Sequence, residues 1–223
     1  MSTDPGDELF DVLSEAGEPT GRVKRRAEVH RDGDWHRAFH LWVAWPSPAG
    51  PVLLFQRRAS TKDTAPGMLD VAVGGHFRAG ESLSAVVREI EEEIGLTPAL
   101  AALHPLGTRR AISRTPRWYD RELQEVYLLL LERQPELRPH PVELAGLVQV
   151  TVAGIERLHA GAGRVEALRA KVQADGTLGP WRAGTVGLGE FVPVRDGYWL
   201  RGAHAARLAA QGETAAIDWE TEV

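Results

Sequence analysis

The chain has 223 residues with 31 acidic and 26 basic side chains, which gives a net charge of −5. A general nucleic-acid binder would be basic, so this balance argues against one. The chain contains no cysteine, which excludes disulfides, thiolate metal sites and cysteine nucleophiles, and agrees with a cytoplasmic location. Neither a signal sequence nor an apolar run of about 20 residues is visible, so we expect no membrane association.

Segments rich in aromatic and β-branched residues, bounded by Gly and Pro, predict strands along much of the chain. They lie at 8–14, 21–30, 35–45, 52–57, 69–73, 98–110, 123–132 and 143–150. The third and fourth of these segments predict a hairpin, since only a short turn separates them. Loops are expected at 59–68, 111–120 and 133–141.

Helical patterns are found at 83–94, 152–160, 163–174 and 199–211. Strands and helices are interleaved without a regular βαβ repeat, which favours an α+β fold with a mixed sheet flanked by helices. We expect a domain at 1–160 and a helical C-terminal extension at 161–223 that packs on the same domain.

The segment 74–96 reads GGHFRAGESLSAVVREIEEEIGL, in which a glycine turn precedes a helix. At about 100° per residue, Glu89, Glu92 and Glu93 fall on one face of that helix. A separate apolar face suits a core and contains Leu83, Val86, Val87, Ile90 and Ile94. Like charges at this spacing repel by roughly 0.2–0.5 kcal/mol per pair. Cations between the acids would relieve the repulsion, and oxygen ligands suit Mg²⁺ or Mn²⁺.

This stretch resembles the signature of the Nudix hydrolases. Residues 88–96, which read REIEEEIGL, match the second half of the signature, and residues 75–81 match the first half. Six residues separate Glu81 from Arg88 where the family usually has seven, which we interpret as a one-residue deletion. The resemblance implies an α/β/α sandwich and hydrolysis of a diphosphate linkage with Mg²⁺ or Mn²⁺ as cofactor.

The same resemblance implies roles for the charged side chains. Divalent cations neutralise phosphate oxyanions and lower the pKa of water, which is the chemistry that diphosphate hydrolysis needs. The metal ligands would be Glu89, Glu92 and Glu93, of which Glu93 or Glu89 would also accept the proton of the attacking water. Arg88 would orient a glutamate by a charge-assisted hydrogen bond. Glu125, on a later strand, is a further candidate for a metal ligand or base.

The segments 30–39, 56–58 and 62–67 resemble a branch that groups isopentenyl-diphosphate isomerase with hydrolases similar to it. Histidines at comparable positions of the isomerase bind a metal. The resemblance therefore implies that His36 and His76 are metal ligands.

Basic residues near the end of a strand hold the diphosphate in these related enzymes, and here Arg57, Arg58 and Lys62 occupy that region. Neighbouring residues of a strand point to opposite faces, so we expect Arg58 with Lys62 to contact the ligand. The backbone of Gly74 and Gly75 can approach phosphate or metal because glycine has no Cβ atom.

Three functions are compatible with these residues. The first is hydrolysis of a nucleoside di- or triphosphate, or of an organic diphosphate of the isoprenoid or thiamine type. The second is isomerisation of isopentenyl diphosphate, but Gly74 stands where the isomerase has a cysteine. The third is a nucleotide-binding module without catalysis, which usually has an eroded acidic helix, whereas this one is intact. The expected partner is a small-molecule diphosphate, and a homodimer would agree with many relatives.

Overall fold

The computed structural model describes residues 6–62, 64–114, 119–213 and 216–219. Within these ranges the chain forms one mixed sheet of 11 strands and four α-helices. The strands are β1 (Leu9–Leu13), β2 (Pro19–Arg25), β3 (Trp35–Trp45), β4 (Val52–Arg58), β5 (Leu69–Val71), β6 (Val73–His76), β7 (Leu103–Arg114), β8 (Tyr119–Leu130), β9 (Leu144–Thr151), β10 (Val165–Lys171) and β11 (Arg182–Val186). The helices are α1 (Arg26–Asp32), α2 (Ser84–Ile94), α3 (Val152–His159) and α4 (Tyr198–Ala210). No helix in the described part is long and apolar enough to cross a membrane.

Strand β3 is the centre of the sheet. It pairs in parallel with β8 along residues 35–44, and it pairs antiparallel with β6 and then with β4. From β4 the sheet continues through β9 and β10 to β11, while β1 and β2 lie beyond the start of β3. The predicted hairpin of β3 and β4 is confirmed. Burial on both faces explains why β3 is apolar along most of its length.

The sheet separates two layers of helix. Alternate side chains of β3 point to opposite faces, so Phe39 and Leu41 share a core with α2, while Trp42 shares one with α3 and α4. Ile90 and Ile94 of α2 are fully buried, and burial of each side chain contributes about 1.5–3 kcal/mol. The predicted mixed sheet flanked by helices is therefore confirmed.

Helix α4 approaches the sheet closely at Gly202. A Cβ atom at this position would lie 2.2 Å from Cζ2 of Trp42, so the helix can lie this near only with glycine there. Tyr198 and Trp199, in the first turn of α4, pack around Trp42 with ring centroids 5.4 and 5.8 Å away. The helix predicted at 199–211 is confirmed, and its first turn anchors it to β3.

The helix predicted at 163–174 is wrong, because this segment forms strand β10. Its burial alternates along the strand, with Val165, Ala167 and Ala170 buried. Ala, Leu, Arg and Lys have good helix propensity, but pairing with β9 and β11 outweighs that preference. The segment after residue 160 therefore adds two strands to the sheet besides α4.

Two shorter predictions are wrong in part. The strand expected at 21–30 is confirmed as far as Arg25, where β2 ends, and then gives way to α1, which Gly33 caps with a φ of 69°. Val29 of α1 is fully buried, so packing rather than a periodic apolar pattern stabilises this short helix. The loop expected at 111–120 is shorter, since β7 extends into it and β8 begins before its end, and residues 115–118 lie outside the described part.

Candidate active site

Three glutamates of α2 lie on one side of the helix, as their spacing predicts. Glu89 and Glu93 are half-buried, whereas the side chain of Glu92 is 59% exposed. Burial raises the pKa of Glu89, and the neighbouring charge of Glu92 raises it further. Two of the acids are therefore partly covered, and the third lies at the rim.

Glu93 is strongly perturbed by its surroundings. Burial raises its pKa to about 8, the charges of Lys62 and Arg58 oppose that shift, and the charges of Glu143 and Glu89 add to it. Lys62 also forms an ion pair with Glu143. Near neutral pH, Glu93 therefore holds a proton that an arriving cation can displace, since a positive charge favours the carboxylate. We call the following group the acidic site: Glu89, Glu92, Glu93, Glu143, Lys62 and Arg58.

Arg88 lies among the acids on the solvent side of α2. Its Nη2 donates to Glu81 at 3.0 Å and to Glu89 at 3.2 Å, and its Nε lies 3.6 Å from Glu92. Exposed ion pairs of this kind contribute less than about 1 kcal/mol, so these contacts orient the glutamates more than they stabilise the fold. Glu81, which precedes the shortened part of the signature, is joined to the acidic site through Arg88.

Arg57 and Arg58 diverge at the end of β4. Arg58 donates to the buried carboxylate of Asp70 at 3.1 Å, whereas Arg57 donates to Glu190 at 2.8 Å. Strand alternation sends the two guanidinium groups to opposite faces. The structure thus brings Arg58, together with Lys62, to the acidic site, and it does not bring Arg57 there.

Gly74 and Gly75 lie in strand β6, so the tight glycine turn expected at this point is wrong. They stand in register with His40 and Phe39 of β3. A Cβ atom on Gly75 would lie 3.0 Å from Cε1 of Phe39, and one on Gly74 would lie 3.3 Å from Cδ2 of His40. Close packing on β3 therefore favours glycine at both positions. Both residues are half-buried, which leaves their backbone partly accessible.

A second polar group is assembled from four separate parts of the chain. His30 belongs to α1, His36 to β3, His76 to the end of β6 and Asp120 to the start of β8. One ligand atom from each residue lies within 4.8 Å of the others. Oδ1 of Asp120 lies 3.6 Å from Nε2 of His30 and 3.5 Å from Nε2 of His36. We call these four residues together with Glu122 the histidine site.

The inner atoms of the histidine site fit a cation. Nδ1 of His36 donates to the carbonyl oxygen of Asp34 at 3.1 Å, so Nε2 of the neutral ring carries a lone pair. Nε2 of His36 and Oδ1 of Asp120 are buried without a hydrogen-bond partner among the described residues. Two buried acceptors that face each other cost free energy unless something positive lies between them. A divalent metal ion meets this requirement.

The protonation states agree with metal binding. Burial, together with the charge of the nearby His76, lowers the pKa of His36 to about 4 and that of His30 to about 3. Both rings are therefore neutral at pH 7, the form in which imidazole binds a metal. Burial raises the pKa of Asp120 well above its usual range, so a metal ion that binds here must displace the proton of that carboxyl group. Burial would do the same to Glu122, but His76 donates to it at 2.8 Å and holds that pKa well below its usual range.

Phe10 closes the histidine site from one side. It is fully buried, and its ring centroid lies 5.4 Å from that of His36 and 5.1 Å from that of His76. An apolar ring in this position excludes water and lowers the local dielectric constant, which strengthens the attraction between a cation and its ligands. The histidine site is thus closed, whereas the acidic site is partly open.

Glu125 lies in neither site. Its carboxylate accepts a 2.5 Å hydrogen bond from Arg37 on the α2 face of the sheet. The acids of β8 that reach the histidines are Asp120 and Glu122, because Glu122 stands opposite His36 in the parallel register of β3 and β8. Glu125 therefore lies on the α2 face of the sheet and cannot be a ligand in the histidine site. Two acids separated by one residue lie on the same face of a strand, and this pattern in the sequence could have identified the correct pair.

The chain resembles known proteins over about two thirds of its length. A family model described as NUDIX domain matches residues 34–169. The chain is 36% identical to Nudix hydrolase 3 of Arabidopsis thaliana over 67% of this chain and 19% of that protein, so it spans about a fifth of that relative's length. It is 34% identical to an uncharacterized Nudix hydrolase of Clostridium acetobutylicum, with 68% of this chain and 73% of that protein covered.

The chain also resembles an isomerase and a solved structure. The chain is 31% identical to an isopentenyl-diphosphate Delta-isomerase of Streptomyces griseus, with 69% of this chain and 76% of that protein covered. The crystal structure of DR0079 from Deinococcus radiodurans superposes with a TM-score of 0.50 at 24% identity, and covers 69% of this chain and 90% of that one. This structural likeness concerns the fold alone.

Proposed function

The chain belongs to the NUDIX domain family, whose enzymes hydrolyse diphosphate linkages, and from this premise we propose a substrate class and a catalytic site. The substrate is a nucleoside di- or triphosphate, or another organic diphosphate of the isoprenoid or thiamine type. The acidic site carries the reaction.

The observation behind this proposal is the set of charges around Glu93. A carboxyl group with a pKa raised by burial to about 8 lies beside another acid, Glu89, and beside the cations Lys62 and Arg58. Acids and cations gathered in this way can hold a metal ion and a phosphate group side by side. A divalent ion, Mg²⁺ or Mn²⁺, would neutralise the phosphate oxygens and acidify a water molecule.

The residues of the acidic site have different roles in the proposed reaction. The glutamates of α2 hold the cation, and Glu93 or Glu89 accepts the proton of the attacking water. Arg58 and Lys62 bind the diphosphate, Arg58 through its planar fork of donors. Arg88 keeps Glu89 in place through its 3.2 Å hydrogen bond. The partly accessible backbone at Gly74 and Gly75 gives the phosphates room to approach.

We propose a permanently bound ion for the histidine site. Neutral imidazoles combined with carboxylates suit Mn²⁺ or Zn²⁺, whereas Mg²⁺ prefers ligands that are all oxygen. Because α1, β3, β6 and β8 meet at this site, the ion would stabilise the part of the sheet next to Gly74. Metal analysis of the purified protein should find about one equivalent of such an ion, which His36→Gln removes. Wild-type protein that contains no metal, and that takes up neither Mn²⁺ nor Zn²⁺, would contradict this assignment.

A substrate screen tests the hydrolase proposal. Wild-type protein, Glu93→Gln and Glu91→Gln are incubated with nucleoside di- and triphosphates, isoprenoid diphosphates and thiamine diphosphate, each with Mg²⁺, with Mn²⁺ or with a chelator. Products are followed by ³¹P NMR. We expect metal-dependent cleavage by wild type and by Glu91→Gln, whose side chain is exposed on the same helix, and no cleavage by Glu93→Gln. Cleavage that survives in Glu93→Gln would contradict the assignment of the acidic site.

The same screen distinguishes the alternatives. The likeness to the Streptomyces isomerase favours isomerisation as the second candidate, although Gly74 has no acidic proton to supply where the isomerase has cysteine. Conversion of isopentenyl diphosphate to its isomer without loss of phosphate would identify that activity. Tight nucleotide binding without turnover of any compound would identify a non-catalytic module.

A further inference from the structure

His40 of β3 lies next to Gly74 of β6 at a partly open point of the sheet. A Cβ atom on Gly74 would lie 3.6 Å from Nε2 of His40, so this edge of the imidazole ring occupies the space beside the glycine. His40, Gly74 and the neighbouring His76 are all half-buried, although most of β3 is buried. The Nε2 edge of the His40 ring therefore faces Gly74, whose backbone is partly accessible.

The other ring nitrogen fixes where the proton of His40 lies. Nδ1 is 2.8 Å from the hydroxyl oxygen of Tyr198, and Nε1 of Trp42 donates to the same oxygen at 3.1 Å. Tyr198 is 1% exposed, and His40 is the one acceptor for its hydroxyl hydrogen among the described residues. A buried hydroxyl hydrogen without an acceptor costs free energy. Tyr198 therefore donates to Nδ1, and Nε2 of the neutral ring carries the hydrogen.

The electrostatic surroundings keep both groups in these states. Burial lowers the pKa of His40, so the ring is neutral near pH 7. Burial also raises the pKa of Tyr198, so its hydroxyl group keeps its proton. The result is an N–H donor at the opening, oriented by a residue of α4.

Arg58 connects this opening with the acidic site. Arg58 ends β4, which pairs with β5, and the chain continues from β5 into β6 beside His40. The charge of Arg58 lowers the pKa of both Glu93 and His40. Arg58 donates to Asp70 at 3.1 Å, and the charge of Asp70 in turn raises the pKa of His40. A diphosphate bound by Arg58 would therefore lie beside His40 as well as beside Glu93.

We propose that His40 contacts the substrate through a hydrogen bond from its Nε2–H to a phosphate oxygen, and that Tyr198 is the positioning residue that fixes this tautomer. The inference rests on the proposed function of the acidic site. An N–H donor complements a phosphate oxygen, and a donor fixed before binding needs no reorganisation when the anion arrives. The segment after residue 160, for which the sequence indicated no role, thereby contributes to the active site.

The start of α4 is held firmly enough for Tyr198 to act in this way. Arg109 donates to the two carboxylate oxygens of Asp196 at 2.5 and 3.0 Å, and its guanidinium carbon lies 4.3 Å from the ring centroid of Tyr198. Arg109 also donates to Gln124 of β8 at 2.7 Å. Arg109 thus ties the residues that lead into α4 to the sheet and lies against the tyrosine ring.

A spectroscopic experiment tests the tautomer and the contact without any turnover. Full-length protein labelled with ¹⁵N-histidine is examined at pH 7.5 with Mg²⁺, before and after addition of inorganic pyrophosphate. We expect Nε2–H for His40 in wild type, a mixture of tautomers in Tyr198→Phe, and a shift of the His40 Nε2 resonance on pyrophosphate binding. An Nδ1–H tautomer would overturn the proposal. So would an unshifted resonance when calorimetry shows that pyrophosphate binds.

Kinetics on a substrate from the screen provide the second test. His40→Ala removes the donor, whereas the amide nitrogen of His40→Gln can replace Nε2–H. We expect His40→Ala to lower kcat/KM by about ten- to hundredfold, and His40→Gln to recover much of the loss. His104→Gln, at an exposed position, is the matched control. Wild-type kinetics in His40→Ala, or an equal loss in both His40 variants, would overturn the proposal.

The outcomes separate this inference from the proposed function. If no diphosphate is cleaved but pyrophosphate shifts the His40 resonance, the hydrolase proposal fails and the contact stands. If cleavage depends on Glu93 but neither His40 variant changes it, the hydrolase proposal stands and the role of His40 fails. Tyr198→Phe keeps the aromatic ring that packs on Trp42, so it replaces His40→Ala should that variant not fold.

Discussion

The acidic site and the histidine site are built in opposite ways. The helical glutamates of the acidic site lie within residues 89–93 of one helix, whereas the ligands of the histidine site come from α1, β3, β6 and β8. A local cluster is visible in the sequence as a motif, because helical spacing alone brings its members together. A long-range cluster exists only after the strands have paired, so no single stretch of sequence contains it.

The two sites also differ in access and charge. Glu92 is exposed and its neighbours are half-buried, so ions and substrates can enter and leave the acidic site. The histidine site is closed beneath Phe10, and the imidazoles of His30 and His36 are neutral at pH 7 because burial lowers their pKa values. An open site suits turnover, and a closed site suits an ion that stays.

Loss of the half-buried acid Glu93 in the acidic site should have the largest effect. Glu93→Gln keeps the shape of the side chain and removes its negative charge, so kcat/KM for diphosphate cleavage should fall by about 10²–10⁴-fold. Phosphate release at saturating Mg²⁺ measures the change, and Glu91→Gln serves as the control. If both variants matched wild type, the acids of α2 would not be the reactive ones.

Acidification should destabilise the metal-free protein through the closed site. The pKa of His36 is about 4 in the folded state, below its ordinary 6.5. The unfolded state therefore binds more protons between these values, so the stability present above pH 6.5 is lost as the pH falls toward 4. This difference in pKa corresponds to about 3 kcal/mol in the free energy of unfolding, because the ring of His36 is fully buried.

Urea unfolding at pH 7 and pH 5 measures this dependence. The loss of free energy of unfolding between the two pH values should be smaller in His36→Gln than in wild type. The exposed His104→Gln should retain the wild-type difference. Identical pH dependence in His36→Gln and wild type would mean that His36 is not held neutral in the fold.

Without substrate, metal binding should stabilise the protein mainly through the closed histidine site, because the acids of α2 are partly open to solvent. At a hundredfold excess over its Kd, Mn²⁺ or Zn²⁺ should raise the free energy of unfolding by about 2–3 kcal/mol. Thermal unfolding should show that His76→Gln removes most of this gain and that Glu93→Gln retains most of it. The reverse result would exchange the roles of the two sites.

The smallest effect on activity is expected at Glu125, which lies outside both sites. Glu125→Gln weakens the charged hydrogen bond from Arg37 and should lower stability by about 1–2 kcal/mol. Turnover and metal content should stay close to wild type. Loss of bound metal in Glu125→Gln would restore Glu125 as a ligand.

Sequence-based prediction succeeded where the interactions are local and failed where they join distant parts of the chain. The acidic face of α2, the strand at 35–45 and the divergence of Arg57 from Arg58 all follow from local periodicity, and the structure agrees with them. The helix expected at 163–174 failed because strand pairing outweighed helix propensity. Helix α1 was missed because the burial of Val29 depends on distant strands.

The candidate sites show the same limit. The sequence placed His36 and His76 by resemblance, but it gave no register between β3 and β8. That register decides whether Glu122 or Glu125 reaches the histidines. Tyr198 contacts His40 although the two residues are 158 positions apart in the sequence. No periodic pattern predicts a contact between residues so far apart.

Anomalous diffraction tests the division between the sites most directly. Crystals would be grown with Mn²⁺ and methylenediphosphonate, an analogue that resists hydrolysis. We predict two separate manganese sites, one among His30, His36, His76 and Asp120, and one beside Glu93 in contact with the diphosphonate. Manganese confined to the histidines, with the diphosphonate bound there and no density beside α2, would contradict the account.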